Sequence, residues 1–452
     1  MFPFLNINDI IINKDVFKLI REVNIIGGGL AGSEAAYQLA KRNIKVNLYE
    51  VKTIKRNDAQ SSDYLAELVC SNSFRSNDVH NAAGLMKEEL RRLDSLLIKT
   101  ADRFEVPAGS ALAVDREGFS QEITNILKGN KNINIIEEEI EEIPSGFTIV
   151  ASGPLTTSKL GENIRRFIGD DMLYFFDAIA PIVEFDSIDM DKAYFKSRYD
   201  KGSADYINCP MTKDEYDAWY NEVINAKTAN IKDFELKVFE GCMPFEEMAK
   251  RGYQTLLYGP MKPVGLGKVG EKKPYAVVQL RQDDLRKTMF NIVGFQTHLT
   301  FFEQTRIIRM IPGLEKANII RYGIMHRNTY INAPNTINSF YQAKKREDLF
   351  FAGQLSGVEG YVESIASGLV AGINMSKLVN GKELVSFPVE SAIGSQAFYI
   401  ANCPVENFQP MNTNFGIFPN LEITHGKKQR KELYVQRALE KIDEFIIGGN
   451  IE

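Results

Sequence analysis

The 452-residue sequence is poor in cysteine and has no long apolar run. Its four cysteines are widely spaced and include no C-x-x-C pair, which argues against a disulfide framework and favours a reducing compartment. No stretch approaches the ~18 consecutive apolar residues that indicate a membrane helix. The first 20 residues contain Asp9 and Asp15 and lack a basic n-region, so they do not match a secretory signal peptide. We therefore expect a cytoplasmic protein with no membrane partner.

Histidine is as scarce as cysteine, and the four histidines share no metal-ligand spacing such as H-x-x-x-H or a Cys/His pair. We therefore expect no metal site. Acidic residues outnumber basic ones by 59 to 54, and the net charge of −5 argues against a protein coated in positive charge. Nucleic acid needs only a local basic face. Candidate basic clusters lie at residues 281–287, 306–309, 344–346 and 427–431.

A glycine-rich turn stands in the context of a βαβ unit. Residues 27–32 read G-x-G-x-x-G between an apolar strand at 23–26 and a helical pattern at 33–42. A second strand follows and ends in Glu50. In this context the glycines allow a tight turn, the approach of a pyrophosphate and close helix packing, and the acid accepts hydrogen bonds from ribose. The predicted dinucleotide-binding residues are Gly27, Gly28, Gly29, Leu30, Ala31, Gly32 and Glu50.

A second glycine-rich segment, at residues 353–364, follows a predicted buried strand and precedes a helix rich in small residues. A chain that touches one dinucleotide from two segments is typical of FAD-binding folds, so FAD is favoured over a tightly bound NAD. The contacts predicted here are Gly353, Gln354, Gly357, Gly360 and Tyr361. A third G-x-G-x-x-G at 265–270 lies between prolines with no helix after it, and we interpret it as a loop. Any nicotinamide cofactor would then be a visiting reductant without a Rossmann domain of its own.

The sequence therefore predicts an α/β protein with a two-segment Rossmann-like FAD-binding domain interrupted by a smaller α+β insertion domain. From about residue 180 the composition shifts to many aromatic and charged residues, and an apolar strand near residue 349 marks the return of the first domain. The predicted parts are an N-terminal extension at 1–21, FAD-binding parts at 22–180 and 321–452, and an inserted substrate domain at 181–320.

Two cysteines lie in settings that suit a reactive thiol. Cys242 precedes a short helix predicted at 244–251, where the helix dipole favours a thiolate. Cys70 lies in a Ser/Asn-rich loop with Arg75 nearby. Each cysteine is also open to the alternative of a small buried hydrophobic residue, which is the commoner role of a cysteine and is how we interpret Cys209 and Cys403. His326, in a polar cluster before the second glycine segment, suits either a core histidine or a substrate contact.

Several motifs together resemble one family. They read ELVCSNSFR at 67–75, EGCMP at 240–244, YGPMKPVGL at 258–266, MHRNTY at 325–330, GQLSGVEGY at 353–361 and FQPMNTNFG at 408–416, beside the glycine fingerprint. From about residue 22 to Phe418 the sequence is similar to the folate- and FAD-dependent RNA uridine-5-methyltransferases. The best-known members of that family are the methylenetetrahydrofolate–tRNA-(uracil-5-)-methyltransferases.

The resemblance implies that a carbon unit passes from 5,10-methylenetetrahydrofolate to C5 of a uridine, with FAD as carrier and reductant and NAD(P)H recharging the flavin. It implies Cys242 as the nucleophile that adds to C6 and Cys70 as the acid/base partner near the flavin, with the reverse assignment open. The substrate contacts expected within the matching motifs are Asn72, Arg75, His326, Arg327 and Asn328. The implied RNA is tRNA first, at the T-loop uridine, and 23S rRNA second.

The sequence departs from the family pattern in two places. Residues 1–21 precede the usual start, and Thr305 stands where a basic residue is expected, which weakens an RNA or folate contact. The related wobble-uridine-modifying flavoproteins carry a C-terminal helical domain for which the stretch after Phe418 is too short. A flavin oxidase or disulfide reductase would need a C-x-x-C pair or a second Rossmann domain. A flavin-binding RNA-binding paralogue that has lost methyl transfer stays open.

Overall fold

The computed structural model of the chain describes residues 22–452 except 58, 170–172, 201–202, 230–242, 269, 271 and 422–425. The predicted extension at 1–21 and Cys242 lie outside the described residues. The strands, in chain order, are β1 Glu22–Ile26, β2 Lys45–Glu50, β3 Ser73–Ser76, β4 Glu105–Val106, β5 Ala111–Val114, β6 Ile133–Glu137, β7 Thr148–Val150, β8 Leu173–Ala178, β9 Ile182–Glu184, β10 Tyr194–Phe195, β11 Tyr206–Met211, β12 Ala276–Gln282, β13 Met289–Ile292, β14 Ile319–Arg321, β15 Met325–Tyr330 and β16 Leu349–Phe351. The helices are α1 Leu30–Lys41, α2 Ala82–Arg92, α3 Leu96–Arg103, α4 Arg116–Lys128, α5 Ser158–Ile168, α6 Lys213–Asn225, α7 Phe245–Lys250, α8 Thr255–Tyr258, α9 Phe301–Ile308, α10 Ala333–Thr336, α11 Tyr361–Val379, α12 Ala392–Asn402 and α13 Lys427–Ile447.

A five-stranded parallel sheet in the order β16-β7-β1-β2-β6 forms the centre of the nucleotide-binding part. Strands in parallel sheets are covered on both faces, which explains why Ile149, Val150 and the whole of β16 are apolar and buried. The strand β16 pairs with β7, Leu349 opposite Thr148, although the entire middle of the chain separates them. The predicted two-segment Rossmann-like α/β fold is therefore confirmed.

Small residues let the helix of the second segment lie directly on the helix of the first. A Cβ atom at Gly368 in α11 would stand 2.2 Å from the carbonyl oxygen of Ala31 in α1, and one at Gly372 would stand 3.0 Å from that of Ala35. Only glycine permits such a close approach of two backbones. This contact brings the beginnings of both helices to the same end of the sheet.

A six-stranded sheet of mixed apolar and polar faces forms a second core. Its order is β10-β11-β12-β13-β9-β14, with antiparallel pairing throughout. The helix α6 covers the apolar face with Tyr216 and Trp219, both fully buried, and the Trp219 indole N–H donates to the carbonyl of Ile307 at 3.2 Å. The domain boundaries at residues 180 and 320 stay predictions.

Two smaller ladders lie beside these sheets. The strands β8 and β15 pair antiparallel, with Met325 opposite Ala178, and the strands β3, β5 and β4 form a short sheet after the Cys70 loop. The ladder of β8 and β15 carries the chain into the six-stranded sheet and back out of it. None of the helices in the described part of the chain is long and apolar enough to cross a membrane.

Candidate functional site

The turn between β1 and α1 is built as the glycine pattern predicts. Gly27 has φ +101°, and a Cβ atom there would stand 2.6 Å from the carbonyl oxygen of Ala151, which directly follows the neighbouring strand β7. A Cβ at Gly32 would stand 1.9 Å from the carbonyl oxygen of Gly27, so this glycine lets the helix approach the strand. A Cβ at Gly29 would meet no atom within 4 Å, because Gly29 borders an open cleft at the start of α1.

Glu50 ends β2 and lies mostly buried at the same cleft. Its Oε2 accepts a hydrogen bond from the backbone N–H of Gly28 at 2.8 Å, and its Oε1 accepts one from the N–H of Lys52 at 2.9 Å. These bonds fix the orientation of the carboxylate. Each oxygen has a second lone pair, so hydroxyl donors of a ribose can still be accepted.

The cleft has a volume of about 350 Å³ and is lined by both glycine segments. The predicted residues along it are Gly27, Gly29, Leu30, Ala31, Glu50, Gly353, Gln354 and Tyr361. It is completed by residues that the sequence did not single out, namely Lys52, Lys55, Arg56, Gln60, Ser364 and the turn at 151–158. The signal that could have found this turn is the sequence Ala-Ser-Gly-Pro directly after β7, because the ends of parallel strands meet at one edge of a sheet.

The other predicted glycines, Gly28, Gly32, Gly357 and Gly360, are not among the residues that line the cleft but contact residues next to it. The N–H of Gly28 holds Glu50, and Gly32 packs against Gly27. A Cβ at Gly357 would stand 2.4 Å from the ring of Phe408, and one at Gly360 would stand 2.4 Å from Oε2 of Glu363. Their role in the described structure is to allow close packing beneath the cleft.

The arrangement fits a dinucleotide. Open space at Gly29 leaves room for phosphate groups at the start of α1, where unpaired N–H groups and the positive end of the helix dipole favour an anion. Lys55 and Arg56 place two cations along the lining. The second segment adds the start of α11, whose Tyr361 and Ser364 face the same cleft.

Cys70 lies beside this cleft and is held there by Tyr361. The backbone N–H of Cys70 donates to the Tyr361 hydroxyl at 2.8 Å, and Tyr361 itself lines the cleft, as does the neighbouring Val69. The thiol is partly exposed and lies 4.0 Å from the carbonyl oxygen of Ala178 at the end of β8. The structure therefore places a free thiol beside the dinucleotide cleft.

Three arginines surround the Cys70 loop. Arg116 forms an ion pair with Asp283 at 3.1 Å and donates to the carbonyls of Leu68 and Cys70. Arg321 donates to the carbonyl of Val69 at 2.9 Å. Burial acts to lower the pKa of Arg116, but the adjacent Asp283 carboxylate outweighs burial and holds this pKa above its ordinary value.

The third arginine, Arg281, meets a predicted substrate residue. Its Nε donates to Oδ1 of Asn72 at 3.1 Å, and burial lowers the pKa of Arg281. The Asn72 Nδ2 donates to the carbonyls of Val114 and Gln282 at 2.9 and 3.0 Å. Asn72 is fully buried, so in this structure it joins the first segment to β12.

The remaining predicted contacts are spread around the loop. Arg75 forms an ion pair with Glu363, a fully buried carboxylate in the first turn of α11 that also accepts from the N–H of Thr413 at 2.8 Å. His326, Arg327 and Asn328 lie on β15, whose first residue pairs with Ala178 beside Cys70. Asn328 is buried, and the side chains of His326 and Arg327 lie outside the described part. The substrate roles of these residues stay predictions.

Within the described ranges, no group of three or more His, Cys, Asp or Glu side chains could hold a metal ion. The fold and the cleft together define a dinucleotide-binding protein of the two-segment type, with a free cysteine at the edge of its cofactor cleft and a second core inserted between the segments.

Comparison with known proteins agrees with this class. The family Glucose inhibited division protein A (GIDA) matches residues 22–383. A protein named methylenetetrahydrofolate–tRNA-(uracil-5-)-methyltransferase TrmFO from Bacillus subtilis is 58% identical over 423 residues, 93% of this chain and 97% of that protein. The protein of the same name from Anoxybacillus flavithermus is 58% identical over 429 residues, 94% of this chain and 99% of that protein.

A solved structure shows the same fold. Aquifex aeolicus GidA superimposes with a TM-score of 0.68 at 16% identity, covering 94% of this chain and 73% of that chain. The chain belongs to the TrmFO family of methylenetetrahydrofolate–tRNA-(uracil-5-)-methyltransferases, within the wider GIDA family. The resemblance inferred from the motifs is confirmed.

Proposed function

We propose that this protein methylates C5 of a uridine in tRNA, with methylenetetrahydrofolate as the carbon donor and FAD in the cleft between the two glycine segments. The names and the 57–58% identity of its relatives support the reaction and the substrates. The observation that carries the proposal is the hydrogen bond from the backbone N–H of Cys70 to the Tyr361 hydroxyl, because it holds the loop that bears a free thiol beside the cofactor cleft.

FAD fits the residues that are present. The start of α1 at Gly29 would receive its phosphates, Glu50 its ribose, and the start of α11 at Tyr361 its other end. When bound, the flavin carries the one-carbon unit and supplies the reducing equivalents that complete the methyl group. A nicotinamide cofactor, NADPH or NADH, would recharge the flavin as a visiting reductant.

The chemistry of uracil requires a nucleophile and a base, and a thiol can serve as either. C5 is a poor nucleophile until a thiolate forms a bond to C6, which shifts the electron pair of the double bond towards the C4 carbonyl. C5 can then bond to the carbon unit. A base must next remove the C5 proton, and the C6–S bond breaks as the double bond returns. We assign the addition to Cys242 and the proton removal to Cys70, with the opposite assignment as the alternative.

The setting of Cys70 supports its assignment as a proton acceptor. Arg116 and Arg321 bind the carbonyls of residues 68–70, so the loop is held by fixed cations. The Asn72 side chain donates to the carbonyl of Gln282 and so connects the same loop to β12. These contacts limit the motion of the Cys70 side chain relative to the cleft.

A trapping experiment tests the two cysteine roles. The purified protein is incubated with methylenetetrahydrofolate and RNA that contains 5-fluorouridine, whose C5 fluorine cannot be removed as a proton. We expect a protein–RNA adduct that survives denaturing electrophoresis and disappears in Cys242→Ala. Cys70→Ala should still form the adduct but should make no 5-methyluridine in ordinary RNA. Cys403→Ala, a partly exposed cysteine of the second segment, is the matched control and should behave as wild type.

If adduct formation is unchanged in Cys242→Ala and lost in Cys70→Ala, Cys70 is the nucleophile and Cys242 is the base.

A second experiment decides the RNA target. The same protein is given a tRNA transcript or 23S rRNA fragments, and 5-methyluridine is measured by mass spectrometry. We expect methylation of the tRNA transcript at its T-loop uridine. Methylation confined to the rRNA fragments would show that 23S rRNA, not tRNA, is the substrate. If neither RNA is methylated, methyl transfer is refuted and the protein is a flavin-binding paralogue.

A further inference from the structure

Two aromatic residues at the start of α9 are left outside the cores. Phe301 is 55% exposed and Phe302 is 74% exposed. The Phe301 ring is stacked on the ring of Tyr322, with 4.7 Å between the ring centroids and 28° between the planes. We call the stacked pair of Phe301 and Tyr322 the aromatic platform. Tyr322 is half-buried, so the exposed Phe301 ring is backed by a second ring and leaves an apolar surface in water, which marks a binding site more often than a single exposed side chain does.

The aromatic platform is rigid. Buried Gln304 ties its two elements together, because its Nε2 donates to the carbonyls of Leu299 and Gly323 at 2.7 and 2.8 Å and its Oε1 accepts from the N–H of Gly323 at 2.8 Å. Thr305 adds a second link. Its hydroxyl contacts the carbonyl of Phe301 at 3.0 Å and the hydroxyl of Tyr322 at 3.1 Å. The residue that departs from the family pattern therefore supports the platform in this chain.

The aromatic platform lies next to the Cys70 loop. On one side of Tyr322, Arg321 donates to the carbonyl of Val69 at 2.9 Å. On the other side, Gly323 is so close to β8 that a Cβ atom there would stand 2.6 Å from the carbonyl oxygen of Ile179. The carbonyl of the preceding residue, Ala178, is the one that the Cys70 thiol approaches. Both neighbours of Tyr322 thus contact the segments that hold the thiol.

We propose that the aromatic platform stacks on a nucleobase beside the target uridine in the bound RNA. This inference rests on the proposed function. A uridine whose C5 and C6 are attacked must leave its base stack, and its neighbour then loses a stacking partner. A rigid aromatic surface replaces that partner, as aromatic side chains do in proteins that bind single-stranded RNA. The exposed Lys227, whose carbonyl accepts from Thr300 next to the platform, adds a cation suited to a nearby phosphate.

Binding measurements on variants of Phe301 test this inference. The FAD-loaded protein is titrated with a tRNA transcript and Kd is measured by fluorescence anisotropy. Phe301→Ala should raise Kd roughly tenfold, the usual effect of removing one base–aromatic stack. Phe301→Trp should stay within about twofold of wild type, while Phe301→Leu, which keeps apolar volume without a ring, should resemble the alanine variant. The matched control is Phe398→Ala, an equally exposed phenylalanine on α12.

Salt dependence separates stacking from charge. A lost phosphate contact changes the slope of log Kd against log salt, whereas a lost stack does not. The ratio of Kd between Phe301→Ala and wild type should therefore be equal at low and high salt. A 2-aminopurine placed next to the target uridine should be quenched on binding to wild type and Phe301→Trp, and not on binding to Phe301→Leu.

The inference and the proposed function fail in different ways. A wild-type protein that forms no 5-methyluridine in any tested RNA refutes the proposed function. A wild-type protein that methylates RNA, combined with an unchanged Kd in Phe301→Ala, refutes only the aromatic platform. If Phe301→Ala alters self-association in sedimentation and leaves RNA binding intact, the surface is a contact between copies of this chain and the inference is wrong.

Discussion

The Tyr361 hydroxyl connects the cofactor cleft to the backbone of Cys70. It accepts the backbone N–H of Cys70 at 2.8 Å while its ring lines the cleft and packs edge-to-face on Phe74 at 5.7 Å. The ring is thus held from one side and the hydroxyl fixes the loop from the other. A tyrosine in this place can act on catalysis without touching the reacting atoms, because it determines where Cys70 stands.

Tyr361→Phe should slow methyl transfer and leave the flavin in place. The ring still fills its site, but the Cys70 N–H loses its acceptor, and misplacement of the loop should lower kcat about tenfold with little change in KM for RNA. The measurement is the rate of 5-methyluridine formation together with the FAD absorbance of the purified protein. Tyr399→Phe removes a hydroxyl bonded to the carbonyl of Gln409 away from the cleft and serves as the control. Loss of FAD in Tyr361→Phe would contradict this division of roles.

The cleft also shows which site residues a sequence can predict. Gly27, Gly29 and Gly32 can be predicted because the strand, turn and helix that give them their meaning are consecutive in the chain, and the structure places all three as expected. Residues 151–158 were missed because only the formation of the sheet brings them to the cleft. Asn72 was expected at the substrate, yet its amide is used by three partners from β12 and β5. A sequence motif does not show whether a polar side chain within it will be buried against other parts of the chain.

Secondary-structure elements in this fold are joined by buried polar contacts as well as by apolar packing. Glu89 on α2 is fully buried and accepts the N–H groups of Ala392 and Ile393, at 2.7 and 2.9 Å, at the start of α12. Burial raises the pKa of Glu89 to about 8, even though these N–H groups act to lower it. The contact between α2 and α12 therefore depends on a carboxyl group that keeps its proton well above the pH at which a glutamate ordinarily loses it.

This pKa gives a direction to the pH dependence of stability. Between about pH 4.5 and about 8 the folded chain holds the Glu89 proton and the unfolded chain releases it, so this group's contribution to the free energy of unfolding falls as pH rises. Glu89→Gln cannot titrate. The free energy of unfolding is measured with urea for wild type and for Glu89→Gln at pH 5, 6.5 and 8. The value for wild type minus the value for Glu89→Gln should decrease steadily as the pH rises. Glu88→Gln, one residue earlier and partly exposed, should not reproduce the trend, and a difference that grows with pH would overturn the assignment.

Taken as a whole, the described chain has two main apolar cores that meet through polar contacts. One core surrounds the parallel sheet and the other lies on the six-stranded sheet. Arg116 on α4 and Asp283 after β12 form a buried ion pair between these two parts, and Asn72 adds its amide bonds beside them. The sequence predicted two cores from the change in composition near residue 180. It could not predict the ion pair, since its partners are far apart in the chain.

Asp283→Asn should weaken the connection between the cores. The substitution leaves the Arg116 guanidinium buried without its counterion, which should cost about 3 kcal/mol in the free energy of unfolding. Urea unfolding followed by both tryptophan fluorescence and circular dichroism should show a less cooperative transition, because Trp219 reports only the second core. The control is Glu222→Gln, which breaks a largely exposed pair with Arg306 and should cost less than about 0.5 kcal/mol. Equal effects of the two substitutions would contradict this account.

The position of β16 has a consequence for folding during synthesis on the ribosome. Until β16 is made, β7 is the open edge of the parallel sheet, and roughly 200 residues must be added before its partner arrives. At ~5–20 residues per second this takes about 10–40 s. The strands of the second core emerge during this interval and can pair with one another first. The cofactor cleft is therefore completed only after the strands of the second core have been made, and the flavin can bind both segments only once residues 353–364 have reached the sheet.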